Sequence, residues 1–275
     1  MNVTAVGGNN AGSNVRAAIF ARSTLVELIG HPHLDVSQQK RLIPLNNDLH
    51  MNLIPSPNDF VFKSAAPAAI AQQENYKLDI NSANFIIRTK KLNSTVHKAL
   101  IDLLLTQNMV IHLLRVQMKH LSIPANQMSI NFDNVFTGAL PNLVVVGLVS
   151  DADLSGGHQR NPFNFRNFGV NRIELKRNAT SRPSEGNTPN FATGHYIKAY
   201  STFFQELECD IGNKCVSHTP SKWATGCTLY TFKINDGPIG PGTYGPRSKS
   251  AIGSALLEVS LTAAVNENIK VVLLY

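Results

Sequence analysis

Three cysteines and a histidine follow one another as Cys209-x5-Cys215-x2-His218-x8-Cys227. Thiolates and an imidazole are what tetrahedral zinc takes, but structural zinc sites usually present them as two close pairs. Here Cys215 and His218 are close, while Cys209 and Cys227 are not paired. We read them as ordinary buried or loop residues, and a cysteine count of three argues against a disulfide framework. His31-Pro-His33 with Asp35 offers two imidazoles and a carboxylate without a third nearby ligand, and reads as a loop. His112 and His120 are eight residues apart, so they share one face of a regular strand; among apolar neighbours they read as partly buried hydrogen-bonding groups.

No nucleophile motif accompanies these residues. G-x-S-x-G is absent. Asp151 and Asp153 have the types of an acid/base pair, but they follow an apolar run directly and read as loop and cap residues. The Gly-rich tracts at 155–157 and 237–245 match neither phosphate-binding pattern, and the second is too rich in proline to present a row of backbone amides. Phe163, Phe165 and Phe168 alternate with Asn161, Asn164 and Asn167 beside Arg160 and Arg166. Bases could stack on such a set. Phe163 and Phe165 fall on one side of a strand, however, and core packing or a subunit contact is the favoured reading. The chain is expected to be no enzyme and to hold no cofactor or metal.

Composition supports a packed protein. The chain has 275 residues, 43% of them hydrophobic and only 16% charged, against about 25% in ordinary domains. A surface short of charge suits burial against further copies. The net charge of +7 is spread out, the densest cluster being Arg88-Thr-Lys90-Lys91, so direct nucleic-acid binding is not expected. The N-terminus lacks a secretory pattern, and no apolar run approaches the roughly 18 residues of a membrane span.

The elements follow from periodicity and punctuation. Residues 1–14 are Gly/Asn-rich and read as disordered. A weak helix is expected at 15–29, and strands at 49–54 and 59–63 around a Pro-Ser-Pro turn. Residues 65–73 are the best linker, and alternation from 76 to 88 reads as a strand. Asn93-Ser94 is an N-cap signal before a helical face on Val96, Leu100, Leu103 and Leu104 that ends near 107. A long strand is expected at 110–123, stopped by Pro124. Further strands are expected at 143–149, 170–175, 228–234, 254–261 and 269–274. Residues 178–189 and 236–250 read as loops, and 266–268 as a hairpin turn. From 76 to 275 the chain thus offers about eight strands, the number of a two-sheet jelly roll.

Within this frame, residues 131–168 read NFDNVFTGALPNLVVVGLVSDADLSGGHQRNPFNFRNF. The block N-x-FTG-x-LP, then an apolar VVGLV strand, then NPF-x-F, resembles the major capsid proteins of Polinton (Maverick) elements and adintovirus-like viruses. The residues that carry it are Phe136, Thr137, Gly138, Leu140, Pro141, Gly147, Asn161, Pro162, Phe163 and Phe165, with Tyr196, Ala199, Tyr200, Phe204, Gly226, Tyr230 and Phe232 downstream. The resemblance implies a mainly β fold: an eight-stranded jelly-roll sandwich over 76–275, the second of a double jelly-roll pair. One or two short helices and an N-terminal extension over 1–75 would complete it, the extension keeping only the last strands of the first jelly roll. It also implies a structural protein of the virion, made in the host cytoplasm. Such a protein assembles with itself as a homotrimer, and with other capsid proteins, into an icosahedral shell. The strands at 49–54 and 59–63, without their sheet partners, would then either drive self-association or be disordered. The alternative is a domesticated or truncated jelly-roll module that binds a protein or glycan through loops 151–160 and 236–250.

Overall fold

A computed structural model describes residues 15, 17–38, 42–44, 48, 50–63, 77–111, 113, 115–136, 138–178, 180–208, 218–234 and 252–275. The disorder expected at 1–14, the linker at 65–73 and the loop at 236–250 lie outside these residues, as do Tyr76, His112, Thr137, Cys209 and Cys215.

Among the described residues, eight strands form two antiparallel sheets. They are β1 (Met118–Ile123), β2 (Ser129–Phe132), β3 (Leu143–Ser150), β4 (Val170–Arg177), β5 (Thr180–Asn187), β6 (Leu229–Lys233), β7 (Ala255–Leu261) and β8 (Ile269–Leu274). One sheet runs β1-β8-β3-β6 and the other β2-β7-β4-β5. The pairings are nested: β1 with β8, β2 with β7, β3 with β6 and β4 with β5. The ladders β3·β8 and β4·β7 then join these pairs within each sheet. Alternation does the rest. In β7, Ala255, Leu257, Val259 and Leu261 are buried while the residues between them are half-exposed. They share one apolar core with Val144, Val146 and Leu148 of β3, Ile173 and Leu175 of β4, and Val271 and Leu273 of β8.

Among the described residues, six α-helices accompany the sheets: α1 (Asp35–Gln38), α2 (Asn58–Val61), α3 (Ser94–Thr106), α4 (Asp151–Leu154), α5 (Ile197–Glu206) and α6 (Pro220–Gly226). Helix α3 forms where its cap and periodicity place it, with the Asn93 carboxamide oxygen accepting from the Thr95 N–H at 3.3 Å. None of its residues is buried.

Several expectations are corrected. The strand at 110–123 shrinks to β1, because pairing with β8 ends one step beyond Met118, where Gln117 and Tyr275 exchange backbone hydrogen bonds. The exposed His120 is therefore not the partly buried group expected. Residues 77–92 join no sheet, since alternation makes a strand only beside a partner. Residues 50–57 form no strand, and 58–61 make a helical turn, α2, in which the Pro57 carbonyl accepts from Phe60 and Val61. The helix expected at 15–29 is helical only at its start, with a 3-10 turn at Ala21–Ser23. The loop at 178–189 contains β5 instead. Pro183 is tolerated there because β5 is an edge strand and the register shifts between Ile173↔Asn187 and Leu175↔Arg182. Finally, 266–268 is no hairpin turn: β7 and β8 belong to different sheets, so the connection crosses between them.

The bulge in β5 covers a charge. Gly186 sits at φ +65°, and a Cβ there would lie 3.2 Å from a Glu174 carboxylate oxygen. Glu174 is only 2% exposed. Arg172 donates to it from two nitrogens, at 3.0 and 2.6 Å, with Lys176 at 3.6 Å. Burial pushes the Glu174 carboxyl upward, but the Ser181 and Arg172 hydrogen bonds and the nearby cations outweigh it and hold the group below its ordinary value. A depressed folded value means the ionised form stabilises the fold above the ordinary range, about 4.3 for Glu, and that this is lost as pH falls through the depressed value. Glu174→Gln is expected to cost on the order of 1–3 kcal/mol at pH 7. It should also flatten the acid limb of a stability-versus-pH curve from urea melts. An unchanged acid limb would show that the pair carries no linkage.

Candidate interaction surface

The residues that the sequence singles out separate into two groups. The first is structural. Phe136 is buried and packs edge-on against Tyr275, ring centroids 4.7 Å apart. Gly138 adopts φ +87°, which only glycine takes without strain, and Pro141 leads half-buried into β3. Phe165 lies across Gly147: a Cβ on Gly147 would fall 2.6 Å from the Phe165 ring, so the glycine makes room for it.

Tyr196 and Tyr200 join a nest of rings around Trp223. Phe191, Tyr196, Tyr200 and Tyr230 surround the indole with centroid separations of 6.1, 6.2, 6.0 and 5.8 Å. The Tyr200 hydroxyl donates to the His218 carbonyl at 2.6 Å. Helix α6, which carries Trp223, is absent from the expectations above. Its signal was present in Thr219-Pro220: the threonine hydroxyl accepts from the Lys222 N–H at 3.3 Å, and proline occupies the first turn. The nest closes one flank of β6, where Thr231 donates to the Phe203 carbonyl of α5 at 3.1 Å.

Two polar atoms in this nest, the Trp223 indole nitrogen and the Tyr230 hydroxyl, are buried without a hydrogen-bond partner among the described residues. Burial pushes the Tyr230 phenol far above its ordinary value, so it stays neutral. Tyr230→Phe removes an unsatisfied hydroxyl and keeps the ring. It is expected to raise stability by about 1 kcal/mol, a shift of about 2–4 °C in Tm. A fall of that size in calorimetry would mean the hydroxyl is engaged.

The second group lies where β3 leaves its sheet. The Asp151 N–H donates to the Asn268 carbonyl at 2.9 Å, and the Ser150 hydroxyl to Glu267 at 2.7 Å. Arg166 pairs with the other Glu267 oxygen, and its guanidinium sits 4.3 Å from the centre of the Phe168 ring. Burial pushes the Glu267 carboxyl up, but Ser150 and Arg166, with Arg160 beyond, bring it below its ordinary value. Asp151 and Asp153 are engaged as ion-pair partners of Lys270, at 3.6 Å, and Arg160, at 3.2 Å. Asn161 closes a turn, its side-chain oxygen accepting from the Phe163 N–H at 3.0 Å, with Pro162 buried behind it.

Phe163 is the clearest correction. Residues 162–163 form a turn rather than a strand, so Phe163 does not share a face with Phe165; it stands 66% exposed. Its ring meets Phe60 edge-on at 5.9 Å. Here the segment at 58–63 returns to the body as a strap. The Gly157 N–H donates to the Asp59 carbonyl at 3.0 Å, and the Lys63 ammonium to the Gly157 carbonyl at 3.1 Å. The two His158 ring nitrogens face the Asp59 carboxylate at 3.5 Å and the Phe62 carbonyl at 3.4 Å. Gly156, at φ +93°, brings its Cα so near that a Cβ would lie 3.4 Å from the Phe60 nitrogen. Nothing in the sequence marks 58–63 as a partner of 151–163; only the fold brings them together.

His31 and His33 are exposed, and Cys227 is a free thiol. Burial, then the Lys222 charge, holds the His218 imidazole below its ordinary value. Among the described residues, no three His, Cys, Asp or Glu side chains come together as a metal site. No helix among them is long and apolar enough to cross a membrane.

No family model matches the chain, and no solved structure matches it. An uncharacterized protein of Caenorhabditis elegans is 18% identical over 205 residues, which cover 74% of this chain and 48% of that protein. The chain spans about half the length of this curated relative.

Proposed function

We propose that the protein is a structural capsid protein whose activity is self-assembly, its two sheets forming a jelly roll. The observation that carries this reading is the strand order β1-β8-β3-β6 facing β2-β7-β4-β5. A single long hairpin folded over itself produces these nested pairings, and that is how a jelly roll of two Greek keys is built. The block around Phe136, Gly138, Pro141, Asn161, Pro162, Phe163 and Phe165 adds the resemblance to Polinton-type capsid proteins. A chain with only 16% charged residues fits a protein that buries itself against copies. The fold itself does not specify function, since jelly rolls also serve as lectins and cupins. The reading as a binding module is weakened because loop 151–160 is already contacted by the chain's own strap.

The test is the size of the purified protein. Light scattering after gel filtration, with negative-stain electron microscopy, is expected to give trimers or closed shells. A monomer across the micromolar range in low and high salt would overturn the reading.

A further inference from the structure

The strap and the loop beneath it form a seat built for one peptide. Four backbone groups (the Gly157 N–H and the Asp59, Gly157 and Phe62 carbonyls) and the Asp59, Lys63 and His158 side chains make the polar contacts. One aromatic pair, Phe60 on Phe163, makes the apolar contact. Gly156 allows the backbones to meet. The strap is separated from β1 by residues 64–117, and the described residues of that connector join no sheet. The connector is rich in uncovered apolar side chains. Ile86 is 78% exposed and Leu105 81%, and Phe85, Ile87, Ile101 and Leu103 are also exposed. In α3 the helix hydrogen bonds are satisfied, yet no residue is buried. A helix whose apolar side chains stay in water gains little from packing, and helical stability in proteins comes mostly from packing.

We propose that the strap is exchanged: residues 58–63 of one copy seat on the 151–163 loop of a neighbouring copy, and the connector lies between the two bodies with its apolar side chains covered. The occupant is a second copy of this chain because the seat fits this chain's own Asn58–Lys63 peptide. Exchange keeps every strap contact and adds the burial that the connector lacks, which is why swapping an identical element costs little. Reach is sufficient. Apart from the 13 residues of α3, about 20 Å long, the connector supplies enough chain to extend on the order of 100 Å. The inference rests on the self-assembly reading above.

Two tagged versions of the full chain test it, one carrying Asp59→Cys and the other His158→Cys, each with the three native cysteines replaced by serine. They are co-expressed, treated with a short bis-maleimide that bridges thiols whose Cβ atoms are too far apart for a disulfide, and run on denaturing gels, and linked peptides are identified by mass spectrometry. A covalent heterodimer joined through positions 59 and 158 is the expected result. Phe60→Cys with Phe163→Cys serves as a second pair should the first fold poorly. A single chain carrying both substitutions of a pair reports the same contact within one copy. If oligomers form but the link is found only within single chains, exchange is overturned and self-assembly stands. If the protein is monomeric with an internal link, both are overturned. If neither pair links in any arrangement, the seat itself is refuted.

Discussion

Replacing Trp223 by alanine removes about 3–5 kcal/mol of stability, the range for deleting a large buried aromatic. The indole is fully buried and touches four other rings, contributed by residue 191, the start of α5 and β6. Its removal opens a cavity between a helix and an edge strand, where neighbours attached to different elements cannot all collapse inward. The loss should fall on α5 and α6 as well as on β6, because the nest is what holds those helices on the sheet. Urea melts followed by far-ultraviolet circular dichroism measure it, and a midpoint shift worth less than about 1 kcal/mol would contradict this account. The protein has a single tryptophan, so in the parent chain fluorescence reports the same nest without interference.

Proline at Val271 should abolish the fold. Val271 is fully buried and stands in β8 between two partners, opposite Leu121 of β1 and Leu148 of β3. Whichever neighbour its N–H faces, a ladder hydrogen bond is lost, and the ring is forced into the centre of a sheet. The cost is about 3 kcal/mol or more, a large share of the stability of an ordinary domain. Pro183 marks the contrast, since it occupies a strand too, but at a sheet edge and within a bulge. Soluble expression and the dichroism spectrum of Val271→Pro decide the matter; a native-like spectrum with cooperative unfolding would show that β8 is not central.

How much of this was legible in the sequence depended on whether a segment had a partner. Strands β3, β4, β6, β7 and β8 were visible as apolar runs or clean alternation, because each buries one face or both. Residues 77–92 alternate equally well and form no strand, since periodicity records a preference for a half-buried ribbon and not the presence of a neighbour to pair with. Strand β5 was hidden by Pro183 and Gly186, residues that normally end a strand and here shape a bulge over Glu174. The connection at 266–268 has hairpin composition, but composition does not say which sheet the next strand enters. In the candidate surface, Phe136 is buried and Phe165 lies across Gly147. Phe163 could not be placed, because its position depends on a turn at Asn161 and on a strap about 100 residues earlier.

The nested ladders also set an order of events during synthesis. Strands β4 and β5 meet through a turn at Asn178, so that hairpin can close as soon as it leaves the ribosome. The outermost pair joins Met118 to Leu274, and loop closure is costlier and slower for such distant partners. Strand β8, last of the eight to be translated, is also the one that must slot between β1 and β3. Until it arrives, one sheet exists only as the β3·β6 pair beside an unattached β1, with apolar faces open to water. The nascent chain should therefore be a client of chaperones until translation has passed residue 274.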